Sequence, residues 1–225
     1  ERSEKMYGGT CINIGCIPTK TLVHAAKHAD KDASWEVKKA YYRQSIARKE
    51  EVVSFLRQKN YHNLADNPHI TVYTGIGSFA GPDVVEVGMA EGTLQLQAPR
   101  IFINTGAETV IPPIKGLSEI AYWTSKEALD VKELPRSIAI IGGGVIGIEF
   151  ASFFNSMGVK VKIIEMMPEI LGAMDKEISA MLRSEYTKKG VEFFLETKVI
   201  EVTPDSVIVE KDGKTETIEA HKILV

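Results

Sequence analysis

The stretch SIAIIGGGVIGIEFASFFNSMGVKVKIIE, residues 137–165, decides the fold. Residues 138–141 are an unbroken apolar run with the length of a buried strand. Gly142-Gly143-Gly144-Val145-Ile146-Gly147 then fits G-x-G-x-x-G. Ile146, Phe150, Phe153 and Met157 recur at helical spacing, and residues 159–164 read as a second strand. Strand, glycine turn, amphipathic helix and strand in this order predict a βαβ unit. Each glycine has a job in such a unit. Gly142 permits the tight turn, Gly144 lets the backbone come close to a pyrophosphate, and Gly147 lets helix and strand pack closely. The helix start, with Ile146 in its first turn, turns unpaired N–H groups and a positive dipole end toward that ligand.

Glu165 ends the second run, about 20 residues after the glycines, where such units carry the acid that holds a ribose. Met166 and Met167 follow it, with no Arg or Lys to hold a 2′-phosphate, so NAD(H) is expected over NADP(H). The competing readings are a glycine-rich turn in some other α/β protein and, for Glu165, a plain strand-end surface acid. Downstream, a helix is predicted over 176–188 and strands near 191–195, 199–203, 206–210, 215–218 and 222–225. Upstream, Thr105-Gly106-Ala107, Pro112-Pro113 and Gly116 are breakers, and they put a boundary between domains 1–107 and 108–225. Residues 69–104 hold short β-type runs at 70–73, 84–87, 93–97 and 101–103, read as a small antiparallel meander returning to a buried strand. Residues 1–66 read as largely helical, with 33–48 polar and on the surface.

The only two cysteines, Cys11 and Cys16, sit in Gly8-Gly9-Thr10-Cys11-Ile12-Asn13-Ile14-Gly15-Cys16-Ile17-Pro18-Thr19-Lys20. A helix beginning at Cys16 accepts Pro18 in its first turn and lowers the pKa of a thiol at its start. Lys20, one turn on, adds positive charge. Cys11 lies on the loop before it, within reach of a short-loop disulfide where geometry permits. A reversible dithiol is thereby suggested, in which one thiol attacks and the other resolves. A structural disulfide suits a chain without an export signal poorly. A zinc set of Cys11, Cys16, His24 and His28 fails on distance, because Cys16 to His24 spans about 12 Å of helix. No metal site is expected, and both histidines read as ordinary helix-surface residues.

Bulk properties narrow the classes. The 225 residues are 44% hydrophobic and 25% charged, with a formal net charge of −3. That composition is globular and offers no global field to nucleic acid or an anionic membrane. No apolar run nears the ~20 residues that cross a bilayer, and no signal peptide is visible. A cytoplasmic location is expected. The chain starts at Glu1 rather than Met, so its natural N-terminus is expected to lie upstream.

Gly-Gly-Thr-Cys-x-Asn-x-Gly-Cys-x-Pro-Thr-Lys, then Thr-Gly-Ala, then Gly-Gly-Gly-x-Ile-Gly-x-Glu resembles the flavin-dependent pyridine nucleotide–disulfide oxidoreductases, which include dihydrolipoamide dehydrogenase, glutathione reductase and mercuric reductase. Residues 7–24 (YGGTCINIGCIPTKTLVH) and 55–65 (FLRQKNYHNLA) most resemble the bacterial reactive-chlorine-resistance flavoproteins of that family. The resemblance implies a Rossmann-like FAD/NAD(P)-binding α/β fold of two domains. One is a partial FAD domain of helices and meander, and the other is a nearly complete βαβ NAD domain. It implies that electrons pass from NAD(P)H through FAD to a Cys11–Cys16 disulfide and on to a disulfide or metal-ion substrate, or the reverse. Cys16 would face the flavin and Cys11 the substrate, while Lys20 would pair with Glu149 near the flavin. Glu1 would bind the FAD ribose. Gly8, Gly9 and Thr10 would line the FAD, Gly77 would touch its adenine, and Thr105 and Gly106 would meet it at the domain crossing. Val199 would flank the NAD adenine. The family's first glycine fingerprint would precede Glu1, and its second FAD segment and dimerisation domain would follow Val225. An internal piece of a homodimeric enzyme is therefore expected, with turnover belonging to the intact protein. The alternative is a redox sensor or nucleotide-binding module without turnover.

Overall fold

A computed structural model describes residues 1–225. The chain packs as two compact units, Glu1–Pro18 with Glu50–Glu108, and Thr19–Lys49 with Thr109–Val225.

In the first unit a single 3-10 turn (Glu4–Met6) leads into a short helix α1 (Gly9–Asn13). Helix α2 (Cys16–Lys27) begins here, and α3 (Trp35–Ala65) ends here. Strands β1 (Ile76–Phe79), β2 (Val84–Met89) and β3 (Gly92–Gln97) form an antiparallel meander in the order β1-β2-β3. Asp83 fastens its base: the backbone N–H of Ala98 donates to its carbonyl at 3.0 Å, and Gln97 Nε2 donates to its carboxylate at 2.6 Å. Gly92, at φ 134°, supplies the tight return that a side chain would strain. The meander matches the expectation, but two predicted runs are not strands. Residues 70–73 and 101–103 have no ladder, and Phe102 and Ile103 are 89% and 72% exposed. An apolar run becomes a strand only when a neighbour takes its N–H and C=O groups. No strand of this unit lies beside 101–103.

The second unit is built on a parallel sheet. Its elements are α4 (Ser125–Asp130), β4 (Ser137–Ile141), α5 (Val145–Ser156), β5 (Lys160–Ile164), α6 (Lys176–Lys188), β6 (Glu192–Phe194), β7 (Lys198–Thr203), β8 (Ser206–Lys211), β9 (Lys214–Glu219) and β10 (Lys222–Leu224). The parallel order is β10-β4-β5-β6, and β7-β8-β9 form a separate antiparallel sheet. Side chains alternate across the parallel sheet. Ile138, Ile140, Val161 and Ile163 join one core with Phe150, Phe153, Phe154 and Met157 of α5, whereas Ala139 and Ile164 join a second core with Val202, Val207, Val209 and Ile218. Both faces of β4 are covered, which is why residues 138–141 read as a continuous apolar run. The helix starts follow capping chemistry. Thr124 and Glu127 make a reciprocal capping box on α4, and Asp175 accepts from the N–H of Glu177 at 2.9 Å on α6.

Two expectations are corrected here. The polar stretch 33–48 is not wholly on the surface. Tyr42 is fully buried with its hydroxyl donating to the Val131 carbonyl at 2.9 Å, and Ile46 is buried beside it. Tyrosines carry that face, so an aliphatic count underrates it. Ile146 does not share the buried face of α5. It is 58% exposed, because the first turn projects past the strand ends where nothing apolar meets it. No helix is long and apolar enough to cross a membrane.

Candidate functional site

The dithiol turn belongs to the first unit. Cys11 lies in α1, not on an open loop, and Cys16 is the first residue of α2. Both are free, exposed thiols. The turn between them is compact because a side chain at Gly15 would stand 3.0 Å from the Thr10 carbonyl oxygen and 3.5 Å from the Cys11 Cα. The Cys16 side chain stands near enough to act on Cys11 through a side-chain hydrogen bond. That bond is the largest cause holding the Cys11 thiol above its ordinary range, helped by slight desolvation and by the Cys16 charge. The backbone N–H groups of Cys16 and Ile17 act against it by donating to the Cys11 sulfur.

Asn13 is the residue sequence reasoning missed. It is buried, and its Nδ2 donates to the carbonyls of Tyr7 at 3.0 Å and Gly9 at 2.8 Å. Its Oδ1 accepts from Arg57 Nε of α3 at 2.6 Å. One amide therefore closes the helical turn that carries Cys11. The available signal was an asparagine two residues past a cysteine, with an amide able to donate to two carbonyls at once. Tyr7, whose hydroxyl bonds Thr74, packs against Tyr61 with centroids 4.6 Å apart at a 37° tilt.

The glycine loop belongs to the second unit. Gly142 has φ 111°, and its N–H donates to the Ile164 carbonyl at 2.8 Å. A side chain at Gly147 would stand 2.3 Å from the Gly142 carbonyl oxygen and 3.1 Å from Ile140, so helix and strand touch there. Around Gly144, by contrast, nothing lies within 4 Å of where a side chain would start. Gly144 caps α5 with no side-chain bond, and Val145 and Ile146 behind it are exposed. The first N–H groups of this 12-residue helix thus face open space, a seat suited to a phosphate anion. Glu165 frames the loop from the end of β5. Its carboxylate accepts from the N–H of Gly143 at 2.7 Å and of Met167 at 2.8 Å. Met166 and Met167 are exposed beside it. Lys20 of α2 and Glu149 of α5 form an ion pair one turn past the loop.

The remaining predicted residues are scattered. Glu1 turns its carboxylate onto the N–H of Arg2 at 2.7 Å, and its carbonyl accepts from Gly75 N–H at 2.9 Å. Gly8 and Gly9 have φ 89° and 71° at the start of α1, next to Thr10. A side chain at Gly77 on β1 would meet only Val85, at 3.6 Å, so packing within the chain does not explain its glycine. Thr105 and Gly106 lie exposed outside any strand. Val199 is half-buried in β7 against the second core, at a register shift. The structure thus brings Cys11 to Cys16, Lys20 to Glu149, and the glycine loop to Glu165. No group of three metal-ligating side chains exists.

Comparison with known proteins agrees with this arrangement. The family model described as pyridine nucleotide-disulphide oxidoreductase matches residues 4–225. A probable pyridine nucleotide-disulfide oxidoreductase of Escherichia coli K12, RclA, is 45% identical over 88% of this chain and 43% of its own length. Dihydrolipoyl dehydrogenase of Acholeplasma laidlawii is 37% identical over 99% of this chain and 68% of its own, and mercuric reductase of Bacillus cereus is 32% identical over 97% and 36%. The solved Cu(II) complex of the HOCl-induced flavoprotein disulfide reductase RclA from Escherichia coli superposes with a TM-score of 0.86 at 40% identity, covering all of this chain and 49% of that one. The chain spans about half the length of the curated relatives it matches. With the dithiol turn, the glycine loop and the βαβ unit in place, the chain belongs to the pyridine nucleotide-disulphide oxidoreductase family.

Proposed function

We propose that this chain is the electron-relay part of an NAD(P)H-dependent flavin disulfide oxidoreductase. The two exposed free thiols, Cys11 in α1 and Cys16 at the start of α2, carry that reading. Residues 1–107 would form the flavin-side domain and 108–225 the pyridine-nucleotide domain. Bound flavin and pyridine nucleotide supply the hydride and electron-pair chemistry. The chain's own groups fit both. The open N-terminus of α5 and Gly144 would seat the nicotinamide dinucleotide's pyrophosphate, Glu165 its ribose, with Ile146 and Val199 beside it. Gly142 and Gly147 keep the loop in shape. Glu1, Gly8, Gly9, Thr10, Gly77, Thr105 and Gly106 would contact the flavin nucleotide. The Lys20–Glu149 pair would hold the Lys20 ammonium toward the flavin. Exposed Met166 and Met167, in place of a basic side chain, favour NAD(H) over NADP(H).

At the acceptor side, Cys11 as thiolate would attack a disulfide substrate, releasing one thiolate and forming a mixed disulfide. Cys16 would then displace the second thiolate, closing the Cys11–Cys16 bond. Two thiols are oxidised and one substrate disulfide is reduced. Soft ions such as Hg(II) or Cu(II) are alternative acceptors that a thiolate pair would hold. The same geometry run backward oxidises a dithiol. A homodimer in the cytoplasm, with no nucleic-acid or membrane partner, completes the proposal.

The test is spectroscopic. Anaerobic NADH added to the FAD-loaded protein should raise a long-wavelength thiolate–flavin absorption band. Cys16→Ser should abolish it, and Cys11→Ser should keep it while stopping turnover. Both variants turning over normally would refute the assigned roles. Because both thiols are open to solvent oxidants, a sensor without turnover is the second reading, and bound flavin with no band would select it.

A further inference from the structure

Helix α2 buries Leu22 and Ala26, at 1% and 3% exposure, and so turns His24 and His28 together onto its solvent face. Their ring centroids are 4.7 Å apart at a 55° tilt. His28 is the first residue past the helix, and its N–H donates to the Ala25 carbonyl at 3.0 Å. That carbonyl also accepts from the Tyr41 hydroxyl at 2.9 Å, which ties the turn to α3. The His28 ring is oriented as well, since its Nδ1 lies 2.9 Å from the His24 carbonyl oxygen. A carbonyl only accepts, so Nδ1 carries the proton and Nε2 keeps its lone pair for a ligand. An outer carbonyl fixes the tautomer of metal-bound imidazoles in this way.

We propose that His24 and His28 jointly bind one divalent transition-metal ion of imidazole preference, Cu(II) more tightly than Zn(II), with water filling the other positions. The ranking follows the ordinary order of affinities at nitrogen sites. Metal–nitrogen bonds of about 2.0–2.1 Å put two nitrogens on one ion roughly 3–4 Å apart, so rings at this separation need only a side-chain rotation. Histidines at i and i+4 on one helix face are the spacing by which helices hold zinc in the H-E-x-x-H motif. Here Ala25 stands where that motif has its glutamate, so the pair binds and does not hydrolyse. The carbonyl end of α2 favours a cation at this position. This site is distinct from the dithiol and does not rest on its proposed role.

The experiment uses the 225-residue chain carrying Cys11→Ser and Cys16→Ser, titrated with Cu(II) against glycine as competitor and followed by electron paramagnetic resonance. The first equivalent should show splitting from two imidazole nitrogens. His24→Ala and His28→Ala should each weaken binding by about 10²-fold, since each removes the intramolecular second ligand. His62→Ala, which breaks the His62–Asp66 pair on α3, should leave it unchanged. Alanine suits a helix, so α2 persists in both variants. Unchanged affinity in either α2 variant, or a one-nitrogen spectrum in the parent, overturns the proposal.

Discussion

Replacing Asn13 with alanine should loosen the turn that carries Cys11. The side chain donates to the Tyr7 and Gly9 carbonyls and accepts from Arg57. A neutral hydrogen bond contributes a net of about 1 kcal/mol and one to a charged group about 1.5–3 kcal/mol. The upper sum is therefore about 5 kcal/mol. Gly9 is exposed and Arg57 only half-buried, so water takes over part of the loss, and about 2–3 kcal/mol of local stability is expected to go. The readout is the amide of Ile14, which donates to the Thr10 carbonyl at 3.0 Å and reports whether α1 is closed. Its hydrogen exchange should quicken by roughly 30- to 150-fold, the rate equivalent of that free energy. Asn13→Asp sharpens the test. It keeps an acceptor for Arg57 but aims a second oxygen at two carbonyls, and should open the turn at least as much. Exchange at Ile14 unchanged in both variants would refute the view that this amide holds the dithiol in place.

Gly147→Ala should lower the melting temperature and nucleotide affinity together, because its new carbon meets the Gly142 carbonyl, while Gly144→Ala should spare the fold and weaken only NADH binding; thermal melts and NADH titration separate the two. Cys16→Ala should bring the Cys11 thiol down toward its ordinary pKa, read from the pH dependence of alkylation at Cys11 by mass spectrometry. The sign for stability follows. A thiol held protonated by the fold stabilises below its unfolded pKa, and that contribution fades as pH rises through the folded value, so the parent should lose more stability in alkali than the variant. Arg183→Met should free Glu169, whose carboxyl the Arg183 hydrogen bond holds below its ordinary range. That contribution exists above the unfolded carboxylate pKa and vanishes as pH falls through the lower folded one. Urea unfolding should thus show a loss of about 0.5–1 kcal/mol near neutrality, with the gap closing in acid.

Elements whose partners are close in sequence were legible. The βαβ unit, the helix Lys176–Lys188 and the β7-β8-β9 meander announce themselves through glycines, caps and alternation. Residues 101–103 misled because their composition suits a strand while pairing depends on distant chain. Tyr42 misled because an aromatic body with a polar tip looks like surface until its hydroxyl finds the Val131 carbonyl. At the site, the cysteines and glycines were legible because their chemistry is rare. Asn13 and Arg57 were not, since Asn13 satisfies nearby backbone carbonyls and is held by a side chain 44 positions away. The direction of the Cys11 shift was also hidden, because it is set chiefly by the neighbouring Cys16 side chain and not by the helix-start N–H groups.

Glu165 has a consequence for how ribose recognition should be tested. Its carboxylate is gripped by two N–H groups before any ligand arrives, so docking need not freeze that side chain again. The same grip makes the amide an unfaithful mimic: glutamine offers one oxygen and one NH2, and whichever way it flips, an amine hydrogen points at a backbone hydrogen. A glutamine variant would therefore buckle the Gly143 loop along with any loss of the proposed sugar contact. A weakened cofactor would then speak for the loop's shape as much as for the sugar.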